Sequence, residues 1–387
     1  MSPFHAIRRN AGLRRVVIVN ALYSFISAAL AVLVPLYLID QQVDLAQIGL
    51  LLAIAPLTFM ILRINFASLA DELGTKVIGI SYSIINLLSI ALYVVSNSIL
   101  AIALAIFGES IRASAFWAII RTEIIYESEN PKAMLAFLSG VRQLADAFGR
   151  LFIGFVLVFL AFQNSFLFLG ALSLILLYLT MGSKHETKKP LESVNYHQDV
   201  LKKIFKPHPA TFWQASLLLG LASLPANMLL AFLIPIYAKA GLGLDYGQVG
   251  SLVAIFSFVD AAAVLLFMRW KINVNILLFF TILSIPALFT FPFFGSLIVI
   301  PVVISAIGTG CSGILYEYIL LDQIYRSKNV STDIGVLNIP LKIIEVLFLS
   351  TSGFVIDQFG YQPLFVILAV ATLLFVVFAR AFIKRSN

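Results

Sequence analysis

Long apolar runs broken by short polar joins fill this chain from end to end. Twelve stretches of about 20 apolar residues can be marked out, each able to cross roughly 30 Å of hydrocarbon as a helix. The first is expected from Val16 to Ile39. Lipid offers backbone groups no partners, so helices are the natural spanning element, and the runs are far too long for barrel strands. The Arg-rich N-terminus shows no short apolar core ending in a cleavage site, so the first helix is expected to be retained.

The pattern repeats. Leu33-Val-Pro35-Leu-Tyr37 near the end of the first span returns as Leu233-Ile-Pro235-Ile-Tyr237, 200 residues on. Gln47-Ile-Gly49, which opens the second span, returns as Gln248-Val-Gly250 at a shift of 201, and Gly154-Phe-Val-Leu returns as Gly353-Phe-Val-Ile at 199. Extending the last register sets Asp146 against Glu345 and Gln143 against Lys342. Two six-helix halves follow, residues 1–182 and 211–387, joined by a polar, basic loop over 183–210. The expected fold class is an all-α membrane protein of twelve transmembrane helices in two pseudo-symmetric six-helix bundles. Within the loop, Val200, Leu201, Ile204 and Phe205 fall at helical spacing beside Lys202, Lys203 and Lys206. That pattern fits an interfacial amphipathic helix or a solvated linker.

Phe66–Lys76 forms a polar knot between the second and third spans, with the spacing Ala67-x-x-x-Asp71-x-x-Gly74-x-Lys76. It resembles the loop signature of the major facilitator superfamily, with Ala67 in place of the first glycine and Thr75 in place of a basic residue. Gly353-x-x-x-Asp357-x-x-Gly360-Tyr361 resembles the form many members carry between helices 11 and 12. Arg112, opening Arg-Ala-Ser-Ala-Phe, loosely resembles the family's fourth-helix pattern. The resemblance implies alternating access by rocking halves, with Asp71, Gly74 and Lys76 forming a gating loop. Short loops make the drug-exporter-like branch the nearest in character.

Composition agrees: 61% of the 387 residues are hydrophobic and 12% charged, against roughly one-quarter charged in a soluble domain. The net charge of +7 follows a positive-inside pattern. Lysines and arginines cluster at the N-terminus, at alternate joins and in the central loop. The intervening joins have none, except for Lys239. Both termini are therefore expected in the cytoplasm, with the chain in the cell membrane, and the basic balance needs no nucleic-acid partner.

Ionisable residues within the spans are concentrated. They are Arg63 in helix 2, Glu109 and Arg112 in helix 4, Arg142, Asp146 and Arg150 in helix 5, Asp260 in helix 8, Glu317 in helix 10, and Lys342 and Glu345 in helix 11. Helices 3, 6, 9 and 12 have none in their cores, matching the lipid-facing set that the resemblance implies. Arg142, Asp146 and Arg150 share one helical face, and so do Glu109 with Arg112 and Lys342 with Glu345. Such pairing lowers the cost of burial and suits a carboxylate that loads and releases a proton. The other reading is a set of fixed staples between helices. Glu109, Asp146 and Glu345 are the leading proton-carrier candidates, Arg112 and Lys342 their counter-charges, and Asn20, Tyr23 and Asn227 the candidates for a substrate cavity.

Enzymatic motifs are missing. His5, His185, His197 and His208 fall in polar segments, the single Cys311 excludes a disulfide framework, and neither a Gly-x-Ser-x-Gly elbow nor a phosphate-binding loop occurs. No cofactor or metal is expected. The expectation is a monomeric, lipid-embedded secondary transporter, with proton-coupled export of amphiphilic small molecules as the first hypothesis. Uptake of an anionic metabolite by proton symport, and a transport-inactive receptor of the same fold, are the alternatives.

Overall fold

A computed structural model describes residues 3–128, 131–182, 208–269, 273–324 and 330–386. The central-loop expectation over 183–207 lies outside the described residues. Helix is the dominant element, and no strand occurs among them. In order, α1 spans Pro3–Arg9, α2 Ala11–Asp40, α3 Leu45–Leu73, α4 Thr75–Val95, α5 Ile99–Glu127, α6 Pro131–Phe159 and α7 Phe162–Met181. The second half holds α8 (Ala210–Met228), α9 (Tyr246–Arg269), α10 (Val274–Thr290), α11 (Val299–Ile324), α12 (Val330–Leu337), α13 (Ile339–Phe359) and α14 (Gln362–Ser386).

Among the described residues, eleven helical stretches are long and apolar enough to cross a bilayer, counting Ala210–Gly241 and Asp333–Phe359 as continuous. The twelfth is α6, whose 29 residues suffice in length but carry Arg142, Asp146 and Arg150 on one face. Those side chains are half-buried. A helix that is apolar elsewhere and keeps such a face needs water or protein against it, because lipid solvates none of the three.

The chain packs as two compact units. One comprises the described residues of Met1–Ala28, Ile54–Gly149 and Leu160–Pro207; the other takes Ala29–Ala53, Arg150–Phe159 and the described residues of His208–Asn387. Thus α2, α3 and α6 each contribute to both. In the first unit α4 packs on α5 and α7, turning inward a polar strip of Ser83, Asn86 and Ser89. Ser83 Oγ meets Thr180 Oγ1 at 3.1 Å, and Asn86 Nδ2 donates to Ser173 Oγ at 2.6 Å. In hydrocarbon these pairs serve as interhelical glue.

In the second unit α8 packs on α11, α13 and α14. Beyond Met228 its path continues through two π-helical turns, Leu229–Leu233 and Tyr237–Gly241, with Ile234–Ile236 between them. The α12–α13 break falls at Asn338, just before Pro340, a residue that cannot donate its backbone nitrogen to the helix. Asn338 accepts from Tyr316 Oη at 2.9 Å and donates from Nδ2 to Ile334 O at 2.7 Å, tying the break down.

Candidate functional site

Two polar centres form in the spans, one in each unit. The first is built on Arg112, 3% exposed. Its Nη1 donates to Asn86 Oδ1 at 2.8 Å, its Nη2 lies 3.9 Å from Glu109 Oε2, and its guanidinium carbon sits 5.0 Å above the Tyr23 ring. Its Nε, buried, has no hydrogen-bond partner. Three-residue spacing along α5 brings Glu109 and Arg112 to one face, as the sequence predicted. The separation is nevertheless a loose ion pair. Glu109 keeps 18% of its side chain exposed, and its Oε1 is unpartnered. The Tyr93 hydroxyl faces this carboxylate without hydrogen-bond geometry.

An aromatic ladder runs away from Arg112. Tyr23 stacks on Phe116 with ring centroids 3.5 Å apart, Phe116 meets Trp117 edge-on at 5.5 Å, and Arg142 lies 5.0 Å over the Trp117 ring. Tyr82 closes the stack edge-on against both Tyr23 and Phe116. A guanidinium therefore sits at each end of three aromatic rings, a cation–π arrangement that strengthens on desolvation. The Arg142 Nε, like that of Arg112, is buried without an acceptor.

The second centre is tighter. Glu345, 3% exposed, accepts from Lys342 Nζ and from Asn227 Nδ2, both at 2.6 Å. Asn227 stands two residues before the first π turn, so α8 changes its winding immediately beyond this contact. Asp260 Oδ1 accepts from Thr309 Oγ1 at 2.9 Å, where Gly310 lets α9 and α11 approach closely. Arg150 Nη1 donates to Ser257 Oγ at 2.6 Å.

The residues singled out in the sequence gather into a few clusters. Glu109 and Arg112 come together with Tyr23; Arg142 joins them through the ladder; Lys342, Glu345 and Asn227 form one group, and Asp260 lies with Thr309. Asp146, half-buried one turn along α6 from Arg142, is within electrostatic reach of Tyr23. Asn20 is 3% exposed and ties α2 to α6 by donating to Leu138 O at 3.2 Å. In the gating loop, Gly74 has φ +83°, a conformation only glycine takes readily, and separates α3 from α4. Lys76 is half-buried, and the Asp71 side chain lies outside the described set. Sequence reasoning missed Asn86, the direct acceptor of Arg112, and the buried Glu123. The signal for Asn86 was present, since an amide inside an apolar span demands a partner.

A helical chain with charged clusters inside its apolar spans and an internally repeated sequence is a multi-pass membrane protein. The sequence profile of the Major Facilitator Superfamily matches residues 16–320, and the chain belongs to that family. Its fold is similar to a solved structure of the nucleoside transporter NupG, at a TM-score of 0.73 and 16% identity, covering 96% of this chain and 99% of that one. A point mutant of NupG matches with the same TM-score and coverage at 14% identity. No curated protein sequence matches significantly.

Proposed function

We propose that this chain is a proton-coupled exporter of amphiphilic small molecules in the cell membrane, with both termini cytoplasmic. The halves 1–182 and 211–387, joined through 183–210, rock around a central cavity. Glu109 carries the proton. The observation behind this reading is the contrast between Glu109 and Glu345, one paired acid in each unit. Glu345 is gripped by two donors at 2.6 Å, whereas Glu109 is held by one cation at 3.9 Å, keeps an unpartnered oxygen and retains some exposure. A carboxylate gains a proton readily where the charged form is poorly compensated. Protonation of Glu109 releases Arg112 toward other acceptors, and the half-buried Trp117 ring at the far end of the ladder, with Arg142 over it, offers an amphiphile both an apolar face and charge.

A second reading, uptake of an anionic metabolite by proton symport, is favoured by one observation, the two buried Nε–H donors of Arg112 and Arg142 that lack acceptors. A thermal-shift screen of the purified protein separates the two. Cationic dyes, aromatic carboxylates and, as the solute named for the solved structures, a nucleoside are the three arms. Stabilisation by the dyes alone supports export of amphiphiles, and stabilisation by the carboxylates alone supports the second reading. Proteoliposomes with an imposed pH gradient then test coupling. Gradient-driven flux of the stabilising compound should vanish in Glu109→Gln, and its survival there would remove Glu109 from the proposed role.

A further inference from the structure

The two halves keep step for most of the first-to-second-span junction and then lose it at one place. Graded as buried, half-buried or exposed, residues 31–40 give the same pattern as residues 231–240, position by position. Residues 41–49 give the same pattern as 242–250, one residue further on. The backbone agrees. Val43 N donates to Leu38 O at 3.0 Å in the first half, while Leu244 N donates to Ala238 O at 3.0 Å in the second, across one additional residue. Gln42 and Gly243, equivalent at the larger shift, both take positive φ, +57° and +67°. The second half thus carries one extra residue, and the π turn Tyr237–Gly241 is where the helix absorbs it.

The surroundings of that turn differ from their first-half equivalents in chemistry. Lys239 stands where the first half has Ile39, and Tyr246 where it has Leu45. Lys239 is also the one lysine that breaks the charge asymmetry of the joins. Its Nζ sits 4.1 Å from the centre of the Tyr246 ring and donates to Leu244 O at 3.3 Å. Tyr246 Oη in turn donates to Asp40 Oδ1 at 2.9 Å, joining the end of α2 to the start of α9. The symmetry-related contact would set Ala240 against Leu45 and has no polar group to offer.

We propose that the residue inserted in the second half builds a one-sided latch, Lys239 on Tyr246 on Asp40, that holds the lysine- and arginine-poor end of the transporter shut. The cation polarises the phenol ring from one face, and the carboxylate takes the hydroxyl proton in a charge-assisted hydrogen bond. Asp40 belongs to the first half in sequence, and Lys239 and Tyr246 to the second, so opening at this end must break the hydrogen bond. The extra residue lies between Lys239, still at a shift of 200, and Tyr246, already at 201, so the π turn sets the latch by placing the ring against the lysine, and a methyl group on Gly241 would lie 2.6 Å from the Tyr237 ring. The latch requires the transporter class alone, and is independent of proton coupling and of substrate.

A thiol reporter tests it. Cys311, the chain's single cysteine, is fully buried, so an engineered thiol is read on the full-length protein without removing it. Ala254, 1% exposed, lies one turn inward from Gly250 on the same face of α9, and Ala254→Cys reports opening at this end. Ala379→Cys, at a buried position near the opposite end of α14, is the second reporter. Each is placed in proteoliposomes with a membrane-impermeant maleimide applied from either side. Tyr246→Phe, Lys239→Gln and deletion of Gly241 should each speed labelling at position 254 about tenfold and leave position 379 unchanged. Unchanged labelling at 254 in Tyr246→Phe and Lys239→Gln would overturn the latch, as would an equal rise at both reporters, which is the mark of general loosening.

Discussion

Gly154 of α6 and Gly250 of α9 meet backbone against backbone, each so near the other's Cα that a methyl group on either would fall well inside van der Waals contact. The mirror contact joins Gly49 of α3 to the Leu349 carbonyl and Gly353 of α13 to Leu45 and Ala46. These four glycines belong to the repeated sequence words, at shifts of 201 and 199. The repetition is therefore legible because the contact is: two helix crossings require a residue without a side chain, and both halves keep it.

Alanine at Gly154 or Gly250 should force the crossing apart, costing roughly 1–3 kcal/mol as overpacking does. Gly49→Ala and Gly353→Ala should behave alike. Gly313, inside α11 with open space where a Cβ would stand, is the control, and Gly313→Ala should be neutral or stabilising by roughly 0.5–1 kcal/mol. Thermal melts of the detergent-purified variants check the order. Equal melting of the Gly154 and Gly313 variants would contradict the tight-crossing assignment.

Asn86 is expected to matter for stability out of proportion to its size. It accepts from Arg112 Nη1 and donates to Ser173 Oγ, so Asn86→Leu strands a guanidinium that is 3% exposed. Leaving a buried polar group unsatisfied costs roughly 1–3 kcal/mol, more when it is charged. Ser173→Ala should cost less alone, and the double variant should fall short of the sum of the two. Additive losses in the melts would mean that the two contacts act independently.

What the sequence made legible, and what it did not, divides along physical lines. Spans, duplication and the sorting of charged helices follow from local composition and periodicity, and the Glu109/Arg112 and Lys342/Glu345 pairings follow from helical spacing alone. The strength of those pairs does not. Three-residue spacing gives 3.9 Å in one case and 2.6 Å in the other, because Asn86 and Tyr23 draw Arg112 away while Asn227 and Lys342 converge on Glu345. Of these partners Lys342 shares the helix of Glu345, but Asn86, Tyr23 and Asn227 come from other helices at separations of 26 to 118 residues, which periodicity does not reach. The step from a shift of 200 to one of 201 was visible in the sequence, but its meaning as a π turn needed the backbone.

The two glutamates should therefore separate in their mutational signatures. Glu345→Gln removes the charge that Lys342 and Asn227 converge on and leaves a half-buried ammonium, 20% exposed, without that counter-ion, a loss below the roughly 3–5 kcal/mol of a fully buried pair but above that of Glu109→Gln. Lys342→Met in the same background should recover part of it, since neutralising both partners is tolerated better than neutralising one. Glu109→Gln breaks a pair already 3.9 Å apart, at a carboxylate with one oxygen unpartnered, and should change stability by no more than about 1 kcal/mol. If Glu109 carries the proton, its glutamine variant keeps substrate exchange across the membrane and loses only accumulation against a gradient. Chemical denaturation measures the first difference, and counterflow beside gradient-driven flux measures the second. Equal stability losses in the two variants would mean that the 3.9 Å and 2.6 Å geometries do not distinguish a loosely held carboxylate from a tightly held one.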